Sequence, residues 1–299
     1  MRLAAIDIGS NAARLLISDA TTNDQGKTQF QKLNLVRVPL RLGFDVFEKK
    51  QISSEKEEMF IKTIRSYKLL TDVYGVEHMK ACATSAMRDA GNGADIISKV
   101  KEATGITIEI ITGDAEASFI YENHIAENLS KDHSYLYIDV GGGSTELTLF
   151  SGAKLKFKRS FNIGTIRILK NQVDEFMWDE MRDFIIRETK GRESNIVVIG
   201  SGGNINKVFS LSKRKEGKPL RIELLNDYFR ELGSYPLKER MRVYKLREDR
   251  ADVIIPALSI YINVMNWAGI QEIYVPKIGL ADGLIQHLYE EVKNKSPIT

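Results

Sequence analysis

Three glycine-rich segments of the chain each follow an apolar, strand-like run. They are Gly9-Ser10-Asn11, Gly141-Gly142-Gly143-Ser144 and Gly200-Ser201-Gly202-Gly203-Asn204. Because glycine has no Cβ, such a loop can turn sharply and bring consecutive backbone N–H groups close to one phosphate. A helix that starts at the loop would add its own N-terminal donors. The repetition predicts a duplicated fold that binds a phosphate or a nucleotide between its halves.

An aspartate accompanies each of the first two glycine segments. Asp7 and Asp139 stand two residues before the first glycine of their segment. A carboxylate does not itself attract phosphate, but it can hold a divalent cation, and Mg²⁺ favours a few carboxylates together with waters and phosphate. Any one of these loops is also typical of an ordinary β-turn. The same Asp and Gly-Ser spacing in two places favours metal-assisted phosphoryl chemistry.

Two common nucleotide-binding motifs are missing from the sequence. No Gly-x-x-x-x-Gly-Lys-Ser/Thr segment occurs, so a Walker-type site is excluded. Glu146 and Ile205 stand where a dinucleotide fingerprint would have its third glycine.

A further acidic residue, Glu116, follows the strand predicted over 106–111. The apolar spacing after it indicates a helix, which places Glu116 in the first helical turn. Acids in that turn commonly serve only to complement the helix dipole, which contributes about 0.3–1 kcal/mol. The position just before the second half of the chain favours a second interpretation, in which the carboxylate polarises an attacking water. The sequence leaves both interpretations open.

Composition limits the class of protein. A chain of 299 residues with 43% hydrophobic residues predicts two ordinary globular domains. The net charge of +3 does not demand a nucleic-acid partner, and the single Cys82 suits a reducing cytoplasm. We expect no signal peptide, no membrane span and no histidine metal site, since the four histidines are scattered.

Two basic stretches follow the third glycine segment. They comprise Lys207, Lys213, Arg214, Lys215, Lys218 and Arg221, and then Lys238, Arg240, Arg242, Lys245, Arg247 and Arg250. A solvated loop with a charged helix face is one interpretation. A funnel that raises the local concentration of a polyanion is the other.

The periodicity predicts the same order of elements twice. In the first half we expect strands at 3–9, 13–19 and 28–38, a turn at 23–26, a helix from Ser53, and then strand 79–83, helix 94–104 and strand 106–111. In the second half we expect strands at 135–140, 145–150 and 154–160, helices at 165–171 and 177–190, and strand 196–199. The predicted elements end with helices to about 268, strand 273–275 and helix 280–293. Together they predict a mixed α/β architecture.

Motifs along the whole two-domain core carry a family resemblance. They are Ala5-Ile6-Asp7-Ile8-Gly9-Ser10-Asn11 with Arg14-Leu15-Leu16, Ala83-Thr84-Ser85-Ala86-Met87-Arg88, Ile110-Ile111-Thr112-Gly113-Asp114-Ala115-Glu116-Ala117, Ile138-Asp139-Val140-Gly141-Gly142-Gly143-Ser144-Thr145-Glu146, Gly164-Thr165-Ile166-Arg167, the third glycine segment, and Arg250-Ala251-Asp252-Val253-Ile254. In these the chain resembles the exopolyphosphatase and guanosine pentaphosphate phosphatase (Ppx/GppA) family, in its short two-domain form. The resemblance implies a duplicated, two-lobed α/β fold of the actin, Hsp70 and sugar-kinase type, which is ribonuclease H-like with an interdomain cleft. The lobes would be 1–122 and 123–299, with a C-terminal helix of about 284–295 as a candidate to pack back on the first lobe.

The resemblance also implies a role for each matching residue. Glu116 corresponds to the proposed general base that activates water, and Asp139 and Glu146 to carboxylates near Mg²⁺, with Asp7 as a further candidate. The implied phosphate-binding residues are Gly9, Ser10, Asn11, Arg14, Arg88, Gly141, Gly142, Gly143, Ser144 and Arg250, with Gly200, Gly202 and Gly203 as a third glycine loop. Arginine suits this task because its planar fork can hold phosphate oxygens bidentately.

The chain departs from the family pattern at Ala115, Ser118 and Ala281, where an acid and two arginines are usual, and at Asn204, where threonine is usual. We therefore expect Mg²⁺-dependent hydrolysis of a terminal phosphoanhydride of polyphosphate or guanosine pentaphosphate, with the preferred substrate left open. The alternatives are a binding protein that senses guanosine polyphosphates without turnover, and a kinase-like or ATPase relative. We expect no membrane or nucleic-acid partner, a cytoplasmic location, and a homodimer as the candidate assembly.

Overall fold

The chain folds into two compact units in the computed structural model. The structure describes residues 1–23, 28–116, 118–119, 133–152, 154–191, 196–276 and 279–295. Residues 1–126 and 279–299 form the first unit, and residues 127–278 form the second. The first unit is therefore discontinuous in sequence.

The first unit is built on a five-stranded sheet. Its strands are β1 (Arg2–Ile8), β2 (Ala13–Thr22), β3 (Thr28–Val38), β4 (His78–Ala83) and β5 (Glu109–Ile110), in the order β3-β2-β1-β4-β5. β1 pairs antiparallel with β2 and parallel with β4. All of β1 from Leu3 to Ile8 is buried, and apart from Asp7 these residues are apolar, which suits a central strand.

The second unit repeats this arrangement. Its strands are β6 (Ser134–Val140), β7 (Thr145–Ser151), β8 (Lys154–Phe161), β9 (Ile196–Ser201), β10 (Leu220–Arg221) and β11 (Glu272–Tyr274), in the order β10-β11-β9-β6-β7-β8. β6 pairs antiparallel with β7 and parallel with β9, so it takes the central place that β1 has in the first sheet. The described strands thus follow the predicted duplication.

Helices accompany both sheets. In the first unit they are α1 (Leu42–Lys49), α2 (Ser54–Val73), α3 (Ser85–Asp89), α4 (Gly93–Thr104) and α12 (Leu280–Lys295). In the second unit they are α5 (Thr165–Leu169), α6 (Glu175–Thr189), α7 (Gly203–Ser212), α8 (Ile222–Ser234), α9 (Leu237–Tyr244), α10 (Glu248–Ala251) and α11 (Ile254–Trp267). None of the helices in the described part of the chain is long and apolar enough to cross a membrane.

The C-terminal helix α12 belongs to the core of the first unit. Leu284, Ile285 and Leu288 are buried in a cluster with Leu3 of β1 and Leu16 of β2. Residues 279–299 therefore group with the first unit, although they follow the second in sequence. The predicted lobe boundary at 122 lies outside the described residues.

Several predicted elements differ from the observed ones. The strand predicted over 106–111 is paired only at Glu109–Ile110, against the end of β4. β9 continues through Gly200 and Ser201, so the third glycine segment starts inside a strand. Lys207 lies in helix α7, so the first basic stretch is a loop only after that helix. The predicted turn at 23–26 falls mostly outside the described residues.

Candidate functional site

The second loop (residues 141–144) is a tight turn between β6 and β7. The Gly141 N–H donates to the Ser144 carbonyl at 2.9 Å, which closes the turn. Asp139, in β6, lies directly across the sheet from Glu146, in β7. The hairpin therefore places two carboxylates side by side at the base of a glycine turn.

These two carboxylates fit a hard divalent cation. An oxygen of Asp139 lies within 4.8 Å of an oxygen of Glu146. Glu146 is 3% exposed, and its Oε1 accepts a hydrogen bond from the Ser160 hydroxyl at 2.8 Å. Like charges directly opposite each other in a sheet repel, so a cation between them would relieve the repulsion. Mg²⁺ accepts a site with few carboxylates because water and phosphate complete its shell.

Helix α5 fixes the shape of the second loop. The Gly141 carbonyl accepts the Thr165 N–H at 3.1 Å, and the Gly142 carbonyl accepts the Ile166 N–H at 2.8 Å. Gly164 precedes α5 and lies so close to the loop that a Cβ there would stand 2.5 Å from the Gly142 carbonyl oxygen. The first turn of α5 thus satisfies its free N–H groups on the carbonyls of the loop.

The third loop (residues 200–204) lies against Asp139. Gly202 has a φ of 107°, and a Cβ on it would lie 3.1 Å from Oδ1 of Asp139, so both conformation and space call for glycine. The hydroxyl of Tyr261, from α11, donates to the Ser201 carbonyl. Burial raises the pKa of Tyr261 well above its usual value, and the negative charge of Asp139 adds to this. Tyr261 therefore stays a neutral donor beneath the third loop.

Arg250 lies against the third loop. Its Nη1 donates to Oδ1 of Asn204 at 3.2 Å, and its guanidinium covers Gly203. Arg240, from the same predicted basic stretch, is instead buried and donates from Nε to the Leu232 carbonyl at 2.8 Å. Only part of that stretch is available as a positive surface.

The first loop (residues 9–11) repeats the backbone of the second with a different charge pattern. The Gly9 N–H donates to the Ala12 carbonyl at 3.0 Å, as Gly141 does in the second loop. Asp7 lies across from Arg14, and their side chains form an ion pair at 2.6 Å. Ser10 exchanges a hydrogen bond with Ser85 at 2.8 Å. In this unit an arginine faces the aspartate where the second unit has a glutamate.

Glu116 lies in a helical stretch that Thr112 caps. The Thr112 hydroxyl accepts the Ala115 N–H at 3.1 Å, and the Thr112 carbonyl accepts the Glu116 N–H at 3.0 Å. Arg88 donates from Nη1 to the Ile111 carbonyl at 2.9 Å, just before this cap. Glu116 is partly buried. The hydrogen bonds at Thr112 and at the neighbouring Ile111 carbonyl therefore place Glu116 and Arg88 in the same part of the first unit.

Two of the departures from the family pattern meet in one apolar cluster. Ala281 is buried with Leu280 and Leu284, and Ala115 packs against the same cluster. Both positions carry a small apolar side chain where the family resemblance implies a charged one. Ser118 donates to the Asp114 carbonyl within its own helical stretch.

Each unit thus brings together its own share of the predicted residues. Asp139, Glu146 and the second and third loops belong to the second unit, with Arg250 beside them. Asp7, the first loop, Arg14, Arg88 and Glu116 belong to the first unit. The sequence alone did not point to Ser160 or Tyr261, and Arg167 stood only in the Gly164-Thr165-Ile166-Arg167 motif, with no role assigned to it. Ser160, in β8, stands opposite Glu146, in β7. The register of these two predicted strands could therefore have identified it.

Two sheets with the same central strand order, each with a glycine turn after its central strand, define a duplicated α/β protein of the actin-like class. A model of the Ppx/GppA phosphatase family matches residues 21–292. The chain belongs to that family, and the family prediction is confirmed.

Solved structures agree with this assignment. The Aquifex aeolicus member of the Ppx/GppA family is 26% identical, with a TM-score of 0.74 and 99% of each chain covered. An exopolyphosphatase from Cytophaga hutchinsonii has the same fold, at 23% identity, a TM-score of 0.80 and 99% coverage of each chain. Nucleoside triphosphate hydrolases from Neospora caninum share the fold at 11% identity and a TM-score of 0.54, with 99% of this chain and 94% of that one covered. The predicted actin-like fold class is confirmed.

Curated relatives are longer than this chain. A bifunctional 3-dehydroquinate synthase/phosphatase from Fusobacterium nucleatum is 30% identical over 98% of this chain and 47% of its own length. A guanosine-5'-triphosphate,3'-diphosphate pyrophosphatase from Photobacterium profundum is 22% identical over 97% of this chain and 60% of its own length. The chain thus spans about half the length of these relatives.

Proposed function

We propose that the chain is a Mg²⁺-dependent hydrolase that releases the terminal phosphate of inorganic polyphosphate or guanosine pentaphosphate. The observation that carries the proposal is the Asp139–Glu146 pair at the base of a glycine turn, in a chain of the Ppx/GppA phosphatase family. Two carboxylates next to an array of backbone donors suit a metal-bound phosphate.

The residues of the second unit would hold the phosphate and its cation. Asp139 and Glu146 would bind Mg²⁺, which neutralises phosphate charge when it is bound. Ser160 would keep Glu146 oriented through its hydrogen bond of 2.8 Å. The second loop would donate backbone N–H groups to the terminal phosphate, with no side chain to obstruct its approach.

The first unit would supply the base. Glu116 would orient a water or take its proton for in-line attack on the terminal phosphorus, so that the bond from phosphorus to the bridging oxygen breaks. Thr112 supports this role because its cap fixes the helical turn that carries Glu116. Arg14 and Arg88 of this unit, and Arg250 of the other, would bind phosphate oxygens.

The substrate class is proposed from two considerations. Relatives with this fold are named as an exopolyphosphatase and as a guanosine-5'-triphosphate,3'-diphosphate pyrophosphatase. Polyphosphate and guanosine pentaphosphate both end in a phosphoanhydride. Residues 213–216, which are exposed after α7 and rich in lysine and arginine, would favour a polyanion.

Phosphate release tests the proposal. Short polyphosphate, long polyphosphate, guanosine pentaphosphate and ATP are compared with Mg²⁺ and with a chelator, for the wild type and for Glu116→Gln. We expect release from at least one of the first three substrates, dependence on Mg²⁺, and a loss of about 10²-fold or more in Glu116→Gln.

The matched control is Glu102→Gln, on the exposed surface of α4. It should leave phosphate release unchanged. Binding of all substrates without turnover would replace the hydrolase with the sensor alternative. Undiminished turnover in Glu116→Gln would remove that residue as the base.

Two further expectations belong to this proposal. Cys82 is a buried free thiol, which agrees with a reducing, cytoplasmic location. A homodimer is the assembly that we propose, and sedimentation of the purified chain tests it.

A further inference from the structure

Arg167 makes a contact with the second loop that backbone groups alone cannot provide. Its Nε donates to the Gly143 carbonyl at 2.7 Å, and the residue is 8% exposed. A buried guanidinium is costly to desolvate, so its hydrogen bonds must have a strong structural or functional reason.

Three successive carbonyls of the second loop accept hydrogen bonds from residues of α5. Those of Gly141 and Gly142 accept the backbone N–H groups of Thr165 and Ile166, and that of Gly143 accepts the Arg167 side chain. The first two donors are backbone groups that almost any residue would supply. The third donor exists only because residue 167 is an arginine.

The geometry of the peptide unit gives this arrangement a consequence. In a trans peptide the C=O of one residue and the N–H of the next point in opposite directions. Since the carbonyls of Gly141, Gly142 and Gly143 face α5 and Arg167, the N–H groups of Gly142, Gly143 and Ser144 point away from them. In the part of the chain that the structure describes, no backbone carbonyl accepts the N–H of Gly142 or Gly143. Consecutive N–H groups turned to one side form a concave site for an anion.

We propose that Arg167 is the positioning residue that turns the Ser144 N–H towards a phosphate of the substrate. It acts through the Gly143–Ser144 peptide unit rather than by contact with the phosphate. The inference rests on the proposed function for the identity of the phosphate. It adds that Arg167 sets the orientation of the Gly143–Ser144 peptide unit. Lysine would not replace arginine here, because a single ammonium on a flexible stem lacks the fixed position of Nε.

The test uses Arg167→Met and Arg167→Lys, with Arg182→Met as the control. Arg182 is partly exposed on α6 and pairs with Asp179 and Asp183 of its own helix. Binding of inorganic phosphate in the presence of Mg²⁺ is measured by calorimetry, and hydrolysis by the KM and kcat for polyphosphate. We expect both Arg167 variants to bind phosphate about tenfold or more weakly, and the control to match the wild type.

Two readouts separate positioning from general stability. The affinity for Mg²⁺ alone should stay within about twofold in Arg167→Met, because the carboxylates of Asp139 and Glu146 stand on strands. In Arg167→Ala, added guanidinium should restore phosphate binding, whereas ethylammonium at the same concentration should not. A lower unfolding temperature with phosphate affinity unchanged would overturn the inference, as would weakened Mg²⁺ and phosphate binding in equal measure.

The comparison of the Arg167 variants measures phosphate binding, so it does not require that the protein hydrolyse a substrate. A wild type that binds phosphate without hydrolysing any substrate would disprove the proposed hydrolase and leave the Arg167 comparison valid. A wild type that binds no phosphate would show that the second loop is not an anion site and would end the inference.

Discussion

At the scale of single residues, the two halves of the chain differ most at one cross-strand position. Asp7 and Asp139 occupy the same place before a glycine turn, yet Asp7 faces Arg14 and Asp139 faces Glu146. An arginine neutralises its aspartate and competes with a metal, whereas a second carboxylate attracts one. One residue thus decides which half of the duplicated fold has the paired carboxylates that fit a cation. For Asp7, the Arg14 partner weighs against the predicted metal role.

A pair of amide substitutions tests this difference. Glu146→Gln removes one of two proposed metal ligands, so we expect the Mg²⁺ concentration for half-maximal phosphate release to rise about tenfold or more. Asp7→Asn should change that concentration much less, because Asp7 is already paired. A Mg²⁺ titration of both variants is the measurement. A larger effect in Asp7→Asn would place the metal in the first unit.

Asp45 supports a prediction on pH. It is partly buried, which by itself raises its pKa, but hydrogen bonds from Lys56 and Ser53 outweigh burial and hold the pKa below its usual value. A carboxyl whose pKa is lowered by folding stabilises the protein above its unfolded pKa, and that stability is lost as the pH falls. Asp45→Asn should therefore lower the free energy of unfolding at pH 7 by about 1–3 kcal/mol.

The measurement is urea unfolding of the wild type and of Asp45→Asn at pH 7 and near pH 3. The difference between the two proteins should shrink at the lower pH, because near pH 3 the unfolded chain's Asp45 already takes up a proton and the contribution of its lowered pKa is being lost. Glu102→Gln serves as the control for an exposed acid. A difference that stays constant over this range would show that charge plays no part.

At the scale of elements, periodicity predicted most of the sheet and helix order but not the contacts that shape the site. Strands such as β1 and β6 are mostly apolar runs that end at turn residues, and the sequence alone identifies these. Strand 106–111 was predicted too long, because its pairing depends on the end of β4 and not on local propensity. The strand β10 was missed for the same reason, and the short helices α1 and α3 were not predicted either.

The residues of the candidate site also divide into those that the local sequence reveals and those that only tertiary contacts reveal. The three loops and Asp139 stand out in sequence because the glycine cluster after an apolar run is repeated, whereas the role of Glu146 came only from the family resemblance. Ser160 and Tyr261 do not stand out, and Arg167 appears only as the last residue of a family motif, because a single serine, tyrosine or arginine carries no local signal of its role. Their importance comes from register and packing, which the sequence does not express locally.

Gly164 allows a prediction about how closely α5 approaches the second loop. Its φ of −138° suits any residue, so an alanine there meets only a steric obstacle. That obstacle is backbone, because the Cβ would lie 2.5 Å from both the Gly142 oxygen and the Gly143 carbonyl carbon. Gly164→Ala should push the loop off α5, lower the free energy of unfolding by about 1–3 kcal/mol and weaken phosphate binding.

Urea unfolding and phosphate calorimetry measure the two effects. Gly233→Ala is the matched control, because a Cβ on that helical glycine meets nothing within 4 Å. It should be neutral or slightly stabilising. Equal behaviour of the two alanine variants would contradict the close approach.

At the scale of the whole molecule, the first unit depends on a segment that is remote in sequence. Residues 1–126 lack the helix that completes their core until the chain has passed through all of the second unit. The second unit is continuous and has its own buried cluster around Leu136, Val198 and Ile260. The two units therefore differ in how their stability depends on the C-terminal residues.

Removal of residues 279–299 should unfold the first unit and spare the second. The deletion takes four buried aliphatic side chains, Leu280, Leu284, Ile285 and Leu288, out of the first core. At about 1.5–3 kcal/mol each, their loss amounts to about 6–12 kcal/mol, which rivals the 5–15 kcal/mol that stabilises a typical domain. Hydrogen exchange should then show unprotected amides in β1 and β2 and protected ones in β6 and β9. Asn294→Ala, at an exposed position of α12, is the control and should protect all four strands. Retained protection of β1 in the shortened chain would mean that the first sheet is stable without α12, and that the first unit ends before the second begins.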